Sequence, residues 1–430
     1  RCQVQDYAWG RLREDSIIPS LTQTAEVESF QQFAELWMGD HVKSPSQILL
    51  NGDWKNLNDV MSHEPEKFLG KVVMNSGYSS LPFLFKVLSI KKALSIQVHP
   101  NKDTAADLHD KLPEVYKDPN HKPEMAIALT PFEALLGFAA ADEINANLDY
   151  FYEVRELLSL GDTKITEATF TSQLKEIISL LFSLETEVME ESLKSLNTRL
   201  HDLKVLNRNE DLGNSPQGKR IPYLLKLFEE FGNDIGIIVS LFMNYVSLQP
   251  GQAVVLKENL LHAYLSGEIM ECMACSDNVI RAGLTPKLKD AETLVNITDF
   301  SPYNTAEMIQ SGSWVKSDVN QPDPNAIFWH TREYTSGYED FKVTSIGFRS
   351  EDPTGAKSVK LTYASPSILI AIRGNGKVYF DKEGQIGEEV LQTGSTLYCK
   401  PSTSFEIEKT VDGEDLLVFV AHAALQTQIL

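Results

Sequence analysis

Cysteine is scarce in this chain. Four residues in 430, at positions 2, 272, 275 and 399, are too few and too scattered for a disulfide framework. A reducing compartment follows as the simpler expectation, with the cytoplasm as the location. Basic residues are also in short supply: 39 Lys and Arg face 60 Asp and Glu, a formal net charge of −21. Such a polyanion repels phosphate at long range, which excludes nucleic acid and anionic membrane as general partners. An anionic substrate must then be held by a local basic cluster. Long apolar runs are missing as well. The longest, Ile235 to Met243, contains Ser240 and is far too short to span a bilayer. No signal pattern opens the chain, because Trp9-Gly10 interrupts any apolar run. The first residue is Arg1 rather than Met, so a leader lost from the native start stays open. No short-period repeat is visible, although the first and last β segments are compatible with diverged copies of one barrel.

What is present reads as an ordinary globular composition, 42% hydrophobic and 23% charged, in a chain long enough for two to four domains. Residues 1 to about 140 read as strands and loops, with strand-like runs at Ser46–Leu50, Leu81–Ile90 and Ala93–His99. In the last run Ser95, Gln97 and His99 alternate with Leu94, Ile96 and Val98, which sets the three polar residues on one face. From Ala141 to about Val246 the period becomes helical. Phe170, Leu174, Ile177, Ile178 and Leu181 share a face, as do Met189, Leu193, Leu196, Leu200 and Leu203. Residues 207–219 read as a loop within this helical insertion. The β pattern returns after Pro250-Gly251, at Ala253–Leu256 and Glu268–Cys275. A polar stretch over 318–325 reads as a linker. Strands follow at Ile368–Ile372, Gly376–Phe380, Ser395–Cys399 and Leu416–Val420. The expected fold class is mainly β with a helical insertion.

Three segments carry candidate chemistry: Ser95 to Lys102, Asn120 to Ala126 and Leu261 to Leu265. Together they offer imidazoles, a carboxylate and an amide oxygen, and two imidazoles with a carboxylate are a common set for catalytic zinc. Gln97 and His99, two apart on a strand, point the same way; Glu124 and His262 would come from other strands. Taken singly, His99 or His262 is better read as a satisfied polar strand residue, and Gln97 alone carries almost no information. His121 is a rival ligand, but its place beside Lys122-Pro123 suggests a turn and a surface role. Six other histidines, His41, His63, His109, His201, His330 and His422, show no partner pattern. Cys272 and Cys275, three apart in a strand, face opposite sides and read as packed thiols.

A second cluster holds Glu271 and the run Asp277 to Lys287. Arg281 and Lys287 supply the local positive charge that an acidic protein needs for a phosphate. Gly283 and Pro286 imply a loop shaped for close approach. Lys289 is better read as a solvated charge.

The sequence resembles a known family. Tyr7 to Gly10, Ala34 to Gly39, Pro82 to Lys86, Ser95 to Lys102, His121 to Ala126 and Leu135 to Phe138 occur in order, followed by Leu261 to Gly267 and Glu271 to Lys287. These runs are similar to those of the type I mannose-6-phosphate isomerases, also called phosphomannose isomerases, of the cupin class, and stand close to the eukaryotic members. The resemblance implies jelly-roll barrels: a catalytic cupin barrel from 1–140 and 247–317, an α-helical insertion at 141–246 and a cupin-like barrel at 318–430. It implies one zinc ion per chain on Gln97, His99, Glu124 and His262, and an essential arginine at Arg281. Ser95, Lys122, Glu271 and Lys287 fall at positions tied to substrate and phosphate. The implied activity interconverts mannose 6-phosphate and fructose 6-phosphate and supplies GDP-mannose synthesis. The implied partner is a small phosphorylated hexose, with a monomer expected. Glu271 is the candidate proton shuttle, although its strand parity is ambiguous and a metal-bound water or a histidine remain alternatives. A non-catalytic metal- or sugar-binding cupin and an iron-dependent cupin oxygenase are the rival readings.

Overall fold

The computed structural model describes residues 1–22, 32–205, 215–315, 330–350, 358–382, 385–411 and 414–425. One strand organises the first β unit. His262–Ala274 runs for 13 residues, all buried except half-buried Ser266. Its leading part pairs antiparallel with Phe132–Phe138 and, at His262, with Gln97. Its trailing part lies between Phe83–Ile90 and Glu124–Ala128. The neighbours change at Gly267, where φ is +118° and a Cβ would sit 2.7 Å from the Pro131 carbonyl oxygen. A glycine is needed at that bend on both counts.

The bent strand therefore belongs to two sheets. One runs in the order Gln3–Gln5, Glu35–Met38, Phe83–Ile90, His262–Ala274, Glu124–Ala128, Ala253–Leu256, Ile309–Gln310; the other holds Met243–Leu248, Phe132–Phe138, Ile96–Val98 and Ile280–Gly283. Period-two alternation gives each strand two packing faces. Leu88, Ala126, Val254 and Ile269 of the first sheet meet Ala134, Leu136, Val246 and Tyr264 of the second in one core. The outward residues of the second sheet, among them Ile96, Val98, Ala263, Ile280 and Ala282, join a core with the helices.

Those helices are Ala141–Tyr150, Tyr152–Leu157, Phe170–Ser183, Thr186–Val205, Ile221–Phe231 and Ile235–Ser240. The predicted stripe on Phe170–Ser183 is fully buried, as are Leu193, Leu196 and Leu200 on the next helix. Each such side chain contributes about 1.5–3 kcal/mol on burial. Residues 207–214 of the expected loop and the whole expected linker at 318–325 lie outside the described residues.

The C-terminal strands form a six-stranded sheet, including Lys342–Phe348, Ser367–Arg373 and Leu416–His422, and a four-stranded sheet, including Gly376–Lys382 and Ser404–Lys409. Along Leu416–His422 the alternation serves two cores. Leu416, Val418 and Val420 pack inside this unit with Leu369, Phe405 and Ile407. Leu417, Phe419 and Ala421 join the core that holds Phe85, Met125 and Met270 of the first unit.

Two expectations are corrected here. Residues 1–140 are not only strands and loops: they include the helices Leu57–His63, Pro65–Phe68, Lys71–Asn75 and Lys102–Lys111. The last buries Ala105 alone, so it carries no apolar stripe, and its start is set by Asn101, whose Oδ1 accepts from the Thr104 amide at 2.9 Å. The expected strand Ala93–His99 is confined to Ile96–Val98.

Candidate metal centre and active site

Gln97 lies opposite His262 on one side and opposite Arg281 on the other. Residues directly opposite in a sheet share a face. Since Ile96, Val98, Ile280 and Ala282 pack toward the helices, Gln97, His262 and Arg281 project into the space between the sheets. Glu124 begins the strand Glu124–Ala128 and shares the inward face of Ala126 and Ala128. His99 follows immediately after its strand, its carbonyl accepting from the Asn259 amide at 2.8 Å.

The side chains converge. His99 Nε2 is 3.5 Å from Glu124 Oε1, and His262 Nε2 is 3.3 Å from Glu124 Oε2. Gln97 Nε2 is 3.4 Å from His262 Nε2. One donor atom from each of His99, Glu124 and His262 lies within 4.8 Å of the others, and all three residues are buried. Both rings are held from behind: His99 Nδ1 meets the Asn278 carbonyl at 2.7 Å, and His262 Nδ1 meets the Leu260 carbonyl at 2.8 Å. Those carbonyls accept only, so each Nδ1 carries a hydrogen and each Nε2 faces the centre.

His99 Nε2 and Glu124 Oε2 are buried without a hydrogen-bond partner among the described residues. Burial pushes the His99 imidazole down to about 4, with the Lys122 charge acting the same way, so it is neutral at working pH. Burial opposes ionisation of Glu124, but Lys122 and the two imidazoles outweigh it and hold the carboxyl well below its usual range. Two imidazoles and a carboxylate converging with buried inner atoms fit a divalent cation. Gln97 fits the same ion once its carboxamide is turned end for end, which leaves its shape unchanged and presents Oε1.

A second buried group shares the inward face. Lys86 Nζ lies 3.3 Å from Glu35 and 3.3 Å from Glu271, and it stacks 4.9 Å from the Trp37 ring centroid. Glu271 is directly opposite Lys86 in the sheet. Burial raises the Glu271 carboxyl above its ordinary value, with Lys86 opposing. Burial lowers the Lys86 ammonium, but Glu35, Glu271 and Glu124 outweigh it and raise it. Tyr264 is also buried, and its hydroxyl is raised well above the usual phenol range by burial and then by the charge of Glu271 and Glu124.

The family model for the catalytic domain of type I phosphomannose isomerase matches residues 1–141. The mannose-6-phosphate isomerase of Schizosaccharomyces pombe is 37% identical over 428 residues, 98% of each chain. The Homo sapiens enzyme is 34% identical over 428 residues, 98% of this chain and 97% of its own. The chain belongs to the mannose-6-phosphate isomerase family. Crystal structures of two phosphomannose isomerase variants from Salmonella typhimurium, 28% and 29% identical, each match with a TM-score of 0.79 over 99% of this chain and 98% of theirs. The mostly β architecture with helices agrees with those structures.

The remaining candidates of this isomerase fall at unequal distances from the centre. Ser95 Oγ lies 3.3 Å from the Gln97 carboxamide, at the end away from His262, and Lys122 Nζ is 3.0 Å from Glu124 Oε1. The Arg281 guanidinium is half-buried; burial lowers it, and no acidic partner offsets this among the described residues. Lys287 is exposed on the loop after Ile280–Gly283, and no contact joins its side chain to the cluster. His121 does not take the surface role expected of it. It is 8% exposed, with Nε2 3.1 Å from Asp340 and Nδ1 bonded to Glu258. A turn beside proline suggested exposure, but the C-terminal unit covers it. Sequence reasoning also missed Lys86. Its signal was a lysine inside Phe83–Ile90, a strand buried at every residue, where an ammonium needs acidic partners. Cys272 packs in the core shared with the C-terminal unit, while Cys275 packs on the other face with Trp37, Leu84 and Met273. Among the described residues, no helix is long and apolar enough to cross a membrane.

Proposed function

We propose that this isomerase interconverts D-mannose 6-phosphate and D-fructose 6-phosphate by proton transfer between C1 and C2 through an enediol(ate), using one zinc ion held by Gln97, His99, Glu124 and His262. The observation that carries the reading is the convergence of His99 and His262, each tied at Nδ1, on a buried carboxylate whose Oε2 has no hydrogen-bond partner among the described residues. When bound, zinc supplies Lewis-acid polarisation of a substrate oxygen.

The protein's own groups do the rest. The Glu271 carboxylate takes the proton from C2 and returns it to C1, and its raised affinity for a proton suits the exchange. Lys86 keeps that carboxylate ionised and aimed inward from 3.3 Å. Arg281, with no acidic partner among the described residues, stabilises negative charge on the enediolate oxygen. Lys122 is engaged by Glu124, which leaves exposed Lys287 for the phosphate; Lys122 and Ser95 hold sugar hydroxyls.

Residues 1–140 and 247–317 make the catalytic cupin barrel in this reading, 141–246 the helical insertion and 318–430 a second cupin-like barrel. The two sheets that share a strand bent at Gly267 support it. Mannose 6-phosphate made here feeds GDP-mannose synthesis. The enzyme works in the cytoplasm as a monomer, and its four unpaired cysteines suit a reducing compartment. The test is a coupled assay of fructose 6-phosphate formation on chelator-stripped and zinc-reloaded protein. Turnover lost on stripping and regained with zinc is expected. Full activity without metal removes the metal role, and substrate binding without turnover points to a non-catalytic cupin.

A further inference from the structure

The two histidines are oriented by different means. His262 donates to Leu260, two residues earlier in its own segment, so that support is local. His99 donates to Asn278, which is 179 residues away and lies between the strands His262–Ala274 and Ile280–Gly283. A carbonyl outside a strand ladder is free to turn unless something else holds its residue. Here the Asn278 side chain does so. Its Nδ2 donates to the Asp118 carbonyl at 2.6 Å, the Asn120 carbonyl at 3.1 Å and Asp118 Oδ1 at 3.3 Å. Its Oδ1 is buried without a partner among the described residues, and every contact of the side chain there is a donation. The Asn278 amide donates to Ser276 Oγ, which in turn donates to the Asn120 carbonyl, each at 3.1 Å. Asp277 N reaches Asp118 Oδ2 at 2.8 Å, and Asn120 Nδ2 reaches the Cys275 carbonyl at 3.0 Å. Four residues past Asn120, with Pro123 stiffening the path, the same segment delivers Glu124.

We propose that Asn278 is a positioning residue for the metal centre: its carbonyl sets the His99 ring, and its side-chain amide locks that carbonyl to the segment that carries Glu124. The inference rests on the metal reading above and goes further, naming the residue that makes two donor groups from distant strands one preorganised site. An ordinary turn asparagine would support the fold without changing how the site holds an ion. Orienting partners behind a ligating histidine are worth about 10- to 100-fold in metal affinity.

The test uses full-length protein, stripped of metal, with zinc affinity measured by chelator competition, the visible spectrum of the cobalt-loaded form, and the melting temperature of the metal-free form. Asn278→Ala and Asn278→Asp are compared with wild type and with His99→Ala as the control. The aspartate keeps the shape but turns the donors into acceptors facing three acceptors. Asp118→Asn is a milder variant that perturbs the same clamp should the first two fail to fold. A fall of about 10- to 100-fold in zinc affinity for the Asn278 variants, a smaller fall for Asp118→Asn and altered cobalt bands support the proposal. Zinc affinity within twofold of wild type in whichever variants fold, whatever their melting temperature, overturns it while His99→Ala still loses zinc. Wild-type affinity in His99→Ala, or no zinc binding by wild type, overturns the metal reading and the proposal with it.

Discussion

His121 Nε2 lies 3.1 Å from Asp340 Oδ2, and this contact joins the segment that leads into Glu124 to the C-terminal β unit. The other ring nitrogen meets Glu258, four residues before His262. One imidazole therefore links the approaches to two proposed ligands with the far unit. Asp340 also accepts from the Tyr78 hydroxyl at 3.1 Å, so its carboxylate is held from two sides.

Burial lowers the His121 pKa, but Asp340 and Glu258 outweigh it and raise the group above 6.5. A raised histidine adds stability that is fully present below its unfolded pKa and is lost as pH rises through the folded value. Asp340→Asn is expected to destabilise the protein by about 2 kcal/mol near pH 6, the size of a charge-assisted hydrogen bond, and by less at pH 9. Denaturant melts at the two pH values check this; an equal loss at both would remove the charge from the account.

His422 titrates in the opposite direction. It is 7% exposed, stacks 3.9 Å from the Tyr363 ring centroid, and burial pushes it down to about 4. Its neutral form contributes stability above about pH 6.5 that is lost as pH falls toward 4, up to roughly 3 kcal/mol. His422→Gln is expected to flatten stability between pH 6.5 and 4, read from urea midpoints. A variant with the wild-type slope would place the titrating group elsewhere.

Lys86 tests the role of Glu271. Lys86→Met removes the cation and leaves two carboxyls buried, so Glu271 becomes harder to ionise. The acidic limb of the kcat profile is expected to move to higher pH, with a loss of about 3–5 kcal/mol in stability. An unmoved limb in a folded variant would exclude Glu271 as the base.

Arg281→Ala is expected to lower kcat by about 100- to 1,000-fold, the usual loss for one oxyanion donor, without changing zinc content. Steady-state kinetics beside metal analysis separate the two. Normal turnover would take Arg281 out of the chemistry.

Much of the site was legible in the linear chain because alternation in a strand is local. Ser95, Gln97 and His99 stand against Ile96 and Val98 by period alone, and the helical stripes at Phe170–Ser183 and Leu193–Leu200 needed only the 3.6 repeat. Glu271 shows where that rule stops. Its strand starts at His262 and bends at Gly267, and its parity is set beyond the bend, where Ile269 packs inward and Met270 and Cys272 pack outward. The buried partners of Lys86 come from strands near residues 35 and 271, and no local pattern links them.

By itself the sequence determined which residues alternate inward, where helix replaces strand, and which donor types the chain can offer a cation, since each depends on neighbours a few positions apart. Tertiary structure alone decided that His121 is buried between two carboxylates, that Lys86 and Glu271 pair, and that Asn278 stands behind His99. Those contacts join residues 137 to 219 positions apart or lie across a sheet, and only the pairing of strands distant in the chain and the docking of the C-terminal unit bring them within hydrogen-bonding range.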